Sequence, residues 1–468
     1  MSLAYETDVD LGQAIFGHAQ LGDQRRTARL VETFNLMRRH PGGTLPDKLS
    51  VPADLRAFYR LCDADDVTHE AIVAAARQHT LARTADCPGA VLVIHDATEL
   101  DYTSLTSLAD DLGQIGTGTN RGYICHNVLA VAADTGDVLG LVDQRLHCRD
   151  EVPEHETLAE HRERETRESR LWLYGTEHLP ADAKLIDVSD QGSDTFEFLE
   201  HEFHSGRRFV IRAHKVRKVY AGHRPVGRRL YLKQYVQTLP EMGRFTMDVK
   251  AQPGRKARQG AEFRVGGGPL LICPPHAKYG RHGDEPLPLY LVQITEVAPP
   301  AGEKAIAWTL LTNEPVPTFK DAWRVTGWYE QRWIVEEYHK AQKTGCQIED
   351  LQFTTTARLA PAIALLSVVS VTLLNLRDAS RREDATTRRA KTILAADYVE
   401  VLSLWRYRKI REDLTVHDFF YALARLGGHQ NRKSDHRPGW LVLWRGWTKL
   451  QAMLDGYDAA KQIKCGRT

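Results

Sequence analysis

Three acids in this chain sit where they could share a metal ion. Two short apolar runs end in carboxylates, Val91-Leu-Val-Ile-His-Asp96 and Lys184-Leu-Ile-Asp-Val-Ser-Asp190, and a third acid, Glu336, lies in a stretch free of Pro and Gly. Hard oxygen ligands suit Mg²⁺ or Mn²⁺, which keep several waters and accept phosphate oxygens in their remaining positions. Two such ions roughly 4 Å apart would activate a water or a 3′-hydroxyl and stabilise the leaving oxygen of a phosphodiester. Each acid also has an ordinary reading, because an Asp at a strand end commonly caps a turn or a helix. Asp190 has close competitors in Asp187 and Asp194, and a pair of carboxylates also suits a glycosidase.

The stretch around Glu336 weighs against the glycosidase. Tyr329 to Lys343 is rich in helix formers and is expected to form one helix of about four turns. At roughly 100° per residue, Tyr329, Arg332, Glu336 and Lys343 fall within about 60° of one another. One face thus carries a phenol, two cations and a carboxylate, and the cations could hold a DNA backbone beside the acid. A solvated face also mixes charges, and Glu336 and Lys340 have the spacing of a plain surface pair; the acids upstream favour the first reading.

The elements that must position these groups follow an α/β pattern. Three expected strands, 91–96, 123–131 and 138–142, are followed by a charged loop and helix over 149–170. Then come a strand at 184–190, a helix from Thr195 and a strand at 208–212. From about 215 to 318 the chain turns to Gly, Pro, Arg and short strands, read as a β-rich insertion, with basic loops over 252–264. Leu359 to Arg377 is expected to be a buried apolar helix. The final third reads as helical and ends in a stripe of Trp440, Trp444, Trp447, Leu450, Leu454 and Tyr457, suited to core or partner packing. Near the N-terminus, Asp23 should cap a helix whose one side presents Arg25, Arg26 and Arg29, either solvated or gripping phosphates.

At 468 residues, two or three domains are expected. A chain with 42% hydrophobic and 26% charged residues is of the soluble globular class. The 62 Lys and Arg nearly cancel 61 Asp and Glu, so net charge names no partner. Seven scattered cysteines, with no C-x-x-C, argue against a zinc module or disulfide framework and fit a reducing cytoplasm. The neighbours Cys125–His126 and His147–Cys148 lack zinc spacing. No apolar run reaches the length of a membrane span, and no signal segment is apparent.

Tyr329, Arg332, Glu336 and Lys343 complete a Tyr-(x)2-Arg-(x)3-Glu-(x)6-Lys signature. In this the chain resembles the DDE transposases of bacterial insertion sequences, the cut-and-paste family of Tn-five type. The likeness extends to Trp333 and Glu337–Lys340, and to residues 21–30, 208–212, 424–428 and 454–461. It implies an α/β fold with a ribonuclease H-like catalytic core interrupted by the β-rich insertion, and with helical N- and C-terminal domains: 1–85 binding DNA, 86–375 catalysing, 376–468 dimerising. Asp96, Asp190 and Glu336 would be the catalytic triad and the ligands of two Mg²⁺ ions, for which Mn²⁺ would substitute. Asp190 is selected because another Asp follows it by four residues.

In that family the enzyme nicks the element end, forms and reopens a hairpin, and joins the freed end to target DNA. Hairpin formation unstacks a base at a cost of a few kcal/mol, which an aromatic face can offset. The resemblance gives Trp308 as that face, Trp333 as a filler of the vacated stack, and Arg212, Tyr329, Arg332 and Lys343 as phosphate holders. Trp308 also suits plain core packing. Arg25, Arg26 and Arg29 would grip the terminal inverted repeat, and the Trp-rich last helix would pair two subunits into a homodimeric synaptic complex on double-stranded DNA. Two features depart from the family: Gln-Gly-Ser follows Asp190 in place of Arg-Glu-Ala, and the insertion carries its own Gly-Pro-rich run at 266–275. Other readings are a DNA-binding inhibitor of the same ancestry that no longer cleaves, and a metal-dependent nuclease that cuts without joining.

Overall fold

The computed structural model describes residues 10–150, 155–249, 251, 255–275, 281–432, 435 and 437–465. Its centre is an 11-residue strand, β1 (Val91–Asp101), whose apolar first half is buried on both faces. The second strand, β2 (Gly113–Gln114), is short. The third, β3 (Arg121–Ala132), runs antiparallel to β1, and β4 (Val138–His147) runs antiparallel to β3. On the other side, β5 (Leu185–Ser189) lies parallel to β1, and β6 (Arg208–Arg212) parallel to β5. The order β4-β3-β1-β5-β6 therefore joins three antiparallel strands to two parallel ones. Thr195 caps the helix Phe196–His204 that carries the chain from β5 to β6.

The β-rich region grows onto the edge of this sheet. It contributes β7 (Lys218–Ala221), β8 (Leu230–Tyr231), β9 (Glu241–Val249), β10 (Arg258–Ile272), β11 (Leu287–Glu296) and β12 (Ala307–Thr312). Through β12, which pairs with β6, they complete a 12-stranded sheet, and an otherwise open edge is covered. The expected basic loops over 252–264 are corrected in part: from Arg258 onward the backbone is strand, while residues 252–254 lie outside the described residues. Arg258 is held by Glu296 (2.6 Å) and Glu303 (2.9 Å), which lets a polar sequence join the ladder.

The helix Thr356–Arg381 is buried as expected, but it corrects the expectation that no apolar run reaches the length of a membrane span, for it is long and apolar enough to cross a bilayer. In its most apolar window 94% of the residues are buried inside the protein, so it serves as a core helix. It packs against β4 and against three N-terminal helices, Gln24–Arg39, Pro52–Cys62 and His69–Asp86. The main apolar cluster accordingly unites Phe16, Leu30, Phe34 and Phe58 with Leu92 and Ile94 of the sheet and with Ile363 to Leu374. A second cluster joins Leu376 to Phe419, Phe420, Trp447, Leu450 and Leu454. Much of the C-terminal stripe is thus used within the chain, with Trp447 stacked on Tyr398 at 4.9 Å.

The stretch from Tyr329 to Lys343 is not one helix. A helix from Phe319 ends at Glu330, another spans Trp333–Lys340, and a wider π turn follows over Ala341–Gly345. At the first break the hydrogen bonds shorten to three residues, from Arg332 N–H to Tyr329 (3.0 Å) and from Ile334 N–H to Gln331 (2.9 Å). The Gln331 side chain meanwhile donates to the Ala133 carbonyl at 2.6 Å, anchoring the break to the end of β3. At the π turn, the buried Gln342 amide donates to Ser367 (2.9 Å) and lies 3.4 Å from Asn127 of β3. Such widened turns recur at functional sites.

Candidate active site

Asp96 does not end its strand, as its sequence suggested. It lies mid-way along β1, paired with Asn127 of β3, and the strand runs five residues further. Its neighbour Ala97 donates a backbone N–H to Oδ1 at 2.9 Å. From the break in the helical stretch, Arg332 reaches across, with Nη1 2.6 Å from Asp96 Oδ2 and Nη2 3.5 Å from Glu336 Oε1. One guanidinium therefore bridges two acids from distant parts of the chain.

The bridge does not neutralise the site. Burial raises the pKa of Asp96 to about 7, with Asp190 and Glu336 adding to the rise against the pull of Arg332. Arg332 is itself held more firmly protonated, since Asp96, Tyr329, Asp190 and Glu336 together outweigh its burial. Negative charge is in excess, which is the condition a divalent cation would relieve.

Asp96, Glu336 and His339 bring one ligand atom each within 4.8 Å of one another. Asp190 stands outside this trio. It follows β5 directly and accepts the Gly192 N–H at 2.8 Å, capping a short turn, yet its charge reaches Asp96. Its competitors are engaged elsewhere: Asp187 with His95 (2.8 Å) and Arg207 (3.0 Å), Asp194 with Arg217 and the backbone N–H groups of His214 and Lys215.

His339 was not singled out from the sequence. It is 6% exposed, and its Nε2 has no hydrogen-bond partner among the described residues. Burial drives its pKa down to about 3, helped by Lys343 and Arg332, so the ring is neutral. A signal was present: Glu336-x-x-His339 is the i,i+3 spacing by which helices offer a carboxylate and an imidazole together.

The other predicted residues fall into three groups. Tyr329, buried in the helix before the break, meets Trp308 of β12 edge-on at 5.3 Å and interacts with Arg212 of β6. Burial raises the phenol's pKa, with Asp190 adding to it, so this cluster adjoins the acids. Further along the helical stretch, Trp333 is 52% exposed beneath Lys340, and Lys343 pairs with Glu349 at 3.1 Å. Arg25, Arg26 and Arg29 belong to the N-terminal helices, where Asp23 caps their helix as expected. They pair there with Asp23 (2.9 Å), Asp66 (2.7 Å) and Glu32 (2.8 Å). Exposed pairs of this kind are weak.

Comparison with known proteins bears on this last group. Residues 12–67 match the family described as transposase DNA-binding, a span that contains all three arginines, so this segment is similar to the DNA-binding part of transposases. Among solved structures, the chain is similar to the piggyBac transposase synaptic complex with hairpin DNA, determined by cryo-EM. The identity is 8% and the TM-score 0.28, over 96% of this chain and 70% of that one; a likeness so distant carries no argument about fold or activity.

Proposed function

We propose that this chain is a DDE-type DNA transposase that cuts and joins DNA ends at the Asp96–Glu336 site. The observation that carries the reading is the meeting of Asp96, Glu336 and Arg332, with Asp190 close enough to act on Asp96, in a chain that also has a segment similar to the DNA-binding part of transposases. The order of three antiparallel and two parallel strands supports a ribonuclease H-like core.

The donor set fits Mg²⁺ or Mn²⁺, since crowded carboxylates with uncompensated charge are what a hard divalent cation binds. Bound there, the metal would supply Lewis-acid stabilisation of the phosphodiester oxygens. The chain's own groups do the rest. Arg332 offsets the repulsion between Asp96 and Glu336 and can turn to a phosphate oxygen. Arg212, Tyr329 and Lys343 hold the backbone on either side, and Trp308 offers a ring for an unstacked base, with Trp333 exposed to fill the gap. Nicking, hairpin formation, reopening and joining all use this one site. The N-terminal arginines bind the terminal repeat, and the exposed end of the last helix pairs two subunits.

The test is incubation of purified protein with Mg²⁺ and duplex DNA bearing the sequences that flank its gene, beside Glu336→Ala, with products resolved on denaturing and native gels. Nicks, then hairpins and joined products, are expected from the parent alone. Equal cutting by both proteins would remove the three-acid site. Cutting by the parent without joining would identify a nuclease, and a stable uncut complex with intact ends a DNA-binding inhibitor.

A further inference from the structure

We propose that His339 is a metal ligand, completing with Asp96 and Glu336 a mixed oxygen and nitrogen set that favours Mn²⁺ over Mg²⁺. This rests on the reading of Asp96 and Glu336 as metal-holding acids, but adds a residue and a metal preference that the triad does not contain.

The argument starts from hydrogen bonding. A buried imidazole normally satisfies its ring nitrogens, because leaving one desolvated and unpaired costs stability. His339 is buried, and its Nε2 meets no partner among the described residues. A core histidine chosen for packing would be replaceable there by an apolar side chain without that cost. The ring instead offers a nitrogen within 4.8 Å of carboxylate oxygens of Asp96 and Glu336.

The backbone keeps it there. Glu336 and His339 lie one turn apart on the helix Trp333–Lys340, so their side chains share a face. The following turn is pinned beneath the sheet by Gln342 and Ser367 (2.9 Å), and Tyr338 is tied by its hydroxyl to the Ser367 carbonyl at 3.0 Å. The helix therefore cannot easily rotate to withdraw the ring. Opposite it, Asp96 is fixed within the sheet and Arg332 holds its outer oxygen, a position a divalent cation would contest. Asp190, outside the trio, is left for the second ion.

The choice of metal follows from the donors. Carboxylates alone hold Mg²⁺ and Mn²⁺ alike, whereas an imidazole nitrogen is a donor for first-row transition ions, Mn²⁺ the weakest binder among them, and a poor one for Mg²⁺. Removal of the ring should therefore weaken Mn²⁺ by about tenfold or more and leave Mg²⁺ much less changed.

The full-length protein with Mn²⁺ as probe provides the test, using pulsed electron paramagnetic resonance to detect nitrogen bonded to the metal. Modulation from a coordinated imidazole is expected in the parent, altered when the histidines carry ¹⁵N and lost in His339→Gln. The isotope exchange needs no substitution, so an absent nitrogen coupling overturns the proposal even if the variant folds poorly. Mn²⁺ that is released by Glu336→Gln but shows no nitrogen coupling in the parent would overturn the His339 ligand while leaving the carboxylate site in place. Mn²⁺ binding unaffected by Glu336→Gln and by Asp96→Asn would overturn both.

Discussion

On one side of β1, His95 lies against Asp187 in a fully buried group that also holds Arg207 and Glu202; one residue along, on the opposite side, Asp96 meets Arg332 and Glu336. Strand alternation sends adjacent side chains to opposite faces, so one strand serves both groups. In the first, burial would raise Asp187, but Arg207 and His95 outweigh it and hold the carboxyl below its usual range. Glu202 goes the other way, driven up by burial and by Asp187 towards its neutral form. In the second, a single guanidinium faces three acids, and Asp96 is raised to about 7. The inner group is balanced and closed, as a structural charge cluster must be. The outer group is unbalanced and reachable, with Glu336 36% exposed in its side chain, as a site that takes up a cation must be.

The sharpest way to break this contrast is to remove one acid from each group. Glu336→Ala should lower cleavage by roughly a thousandfold or more with little loss of stability. Asp187→Ala should cost about 3–5 kcal/mol in denaturant unfolding, because it strands a buried guanidinium, while the folded fraction still cuts. If Asp187→Ala is stable but inactive, the two groups have been assigned the wrong way round.

The pH dependence of stability in EDTA gives the next effect. An acid raised in the folded state binds a proton that the unfolded chain has released, so it subtracts stability as pH rises from its ordinary value of 3.8 to about 7. Asp96→Asn removes that loss, and its advantage over the parent should grow through this window by up to about 1.4 kcal/mol per pH unit, then level off. Asp187 has the opposite sign: lowered in the fold, its contribution is present above the unfolded pKa and lost on acidification, and Asp187→Asn should erase that loss. Parallel profiles for the parent and Asp96→Asn would show that Asp96 is not strained.

Smaller effects lie at the rim. Trp308→Ala should slow hairpin formation more than the first nick, by an amount matching about 1–3 kcal/mol of base stacking; equal loss at both steps would leave Trp308 as packing for Tyr329. Lys343→Ala should reduce the salt slope of DNA binding by about one and change stability by less than about 1 kcal/mol, since its pair with Glu349 is partly exposed. An unchanged slope would mean that Lys343 serves Glu349 and not phosphate.

Much of the architecture was legible because it is written locally. The apolar runs around Val91, Leu185 and Phe209 are strands, Asp23 caps a helix, another helix begins beside Thr195, and the segment from Leu359 is a buried helix. Each follows from the period of apolar residues or from the chemistry of a few neighbours. The mid-strand place of Asp96 was not legible, because Ala97 to Asp101 are strand only through their pairing with β3. Nor was the strand character of Arg258 to Arg264, whose polar side chains are matched by groups brought from β9 and β11.

The residue types and spacings of Tyr329, Arg332, Glu336 and Lys343, and the existence of acids at 96 and 190, are properties of the sequence by itself. Only the tertiary structure decided that the helix breaks at Gln331, that Arg332 turns to Asp96, and that His339 joins the acids while Asp190 stands slightly apart. The physical reason is range. Helical and strand preferences depend on neighbours in the chain, whereas the break is held by the Ala133 carbonyl and the charge on Asp96 by groups from two distant segments, and such contacts exist only once the sheet has closed around them.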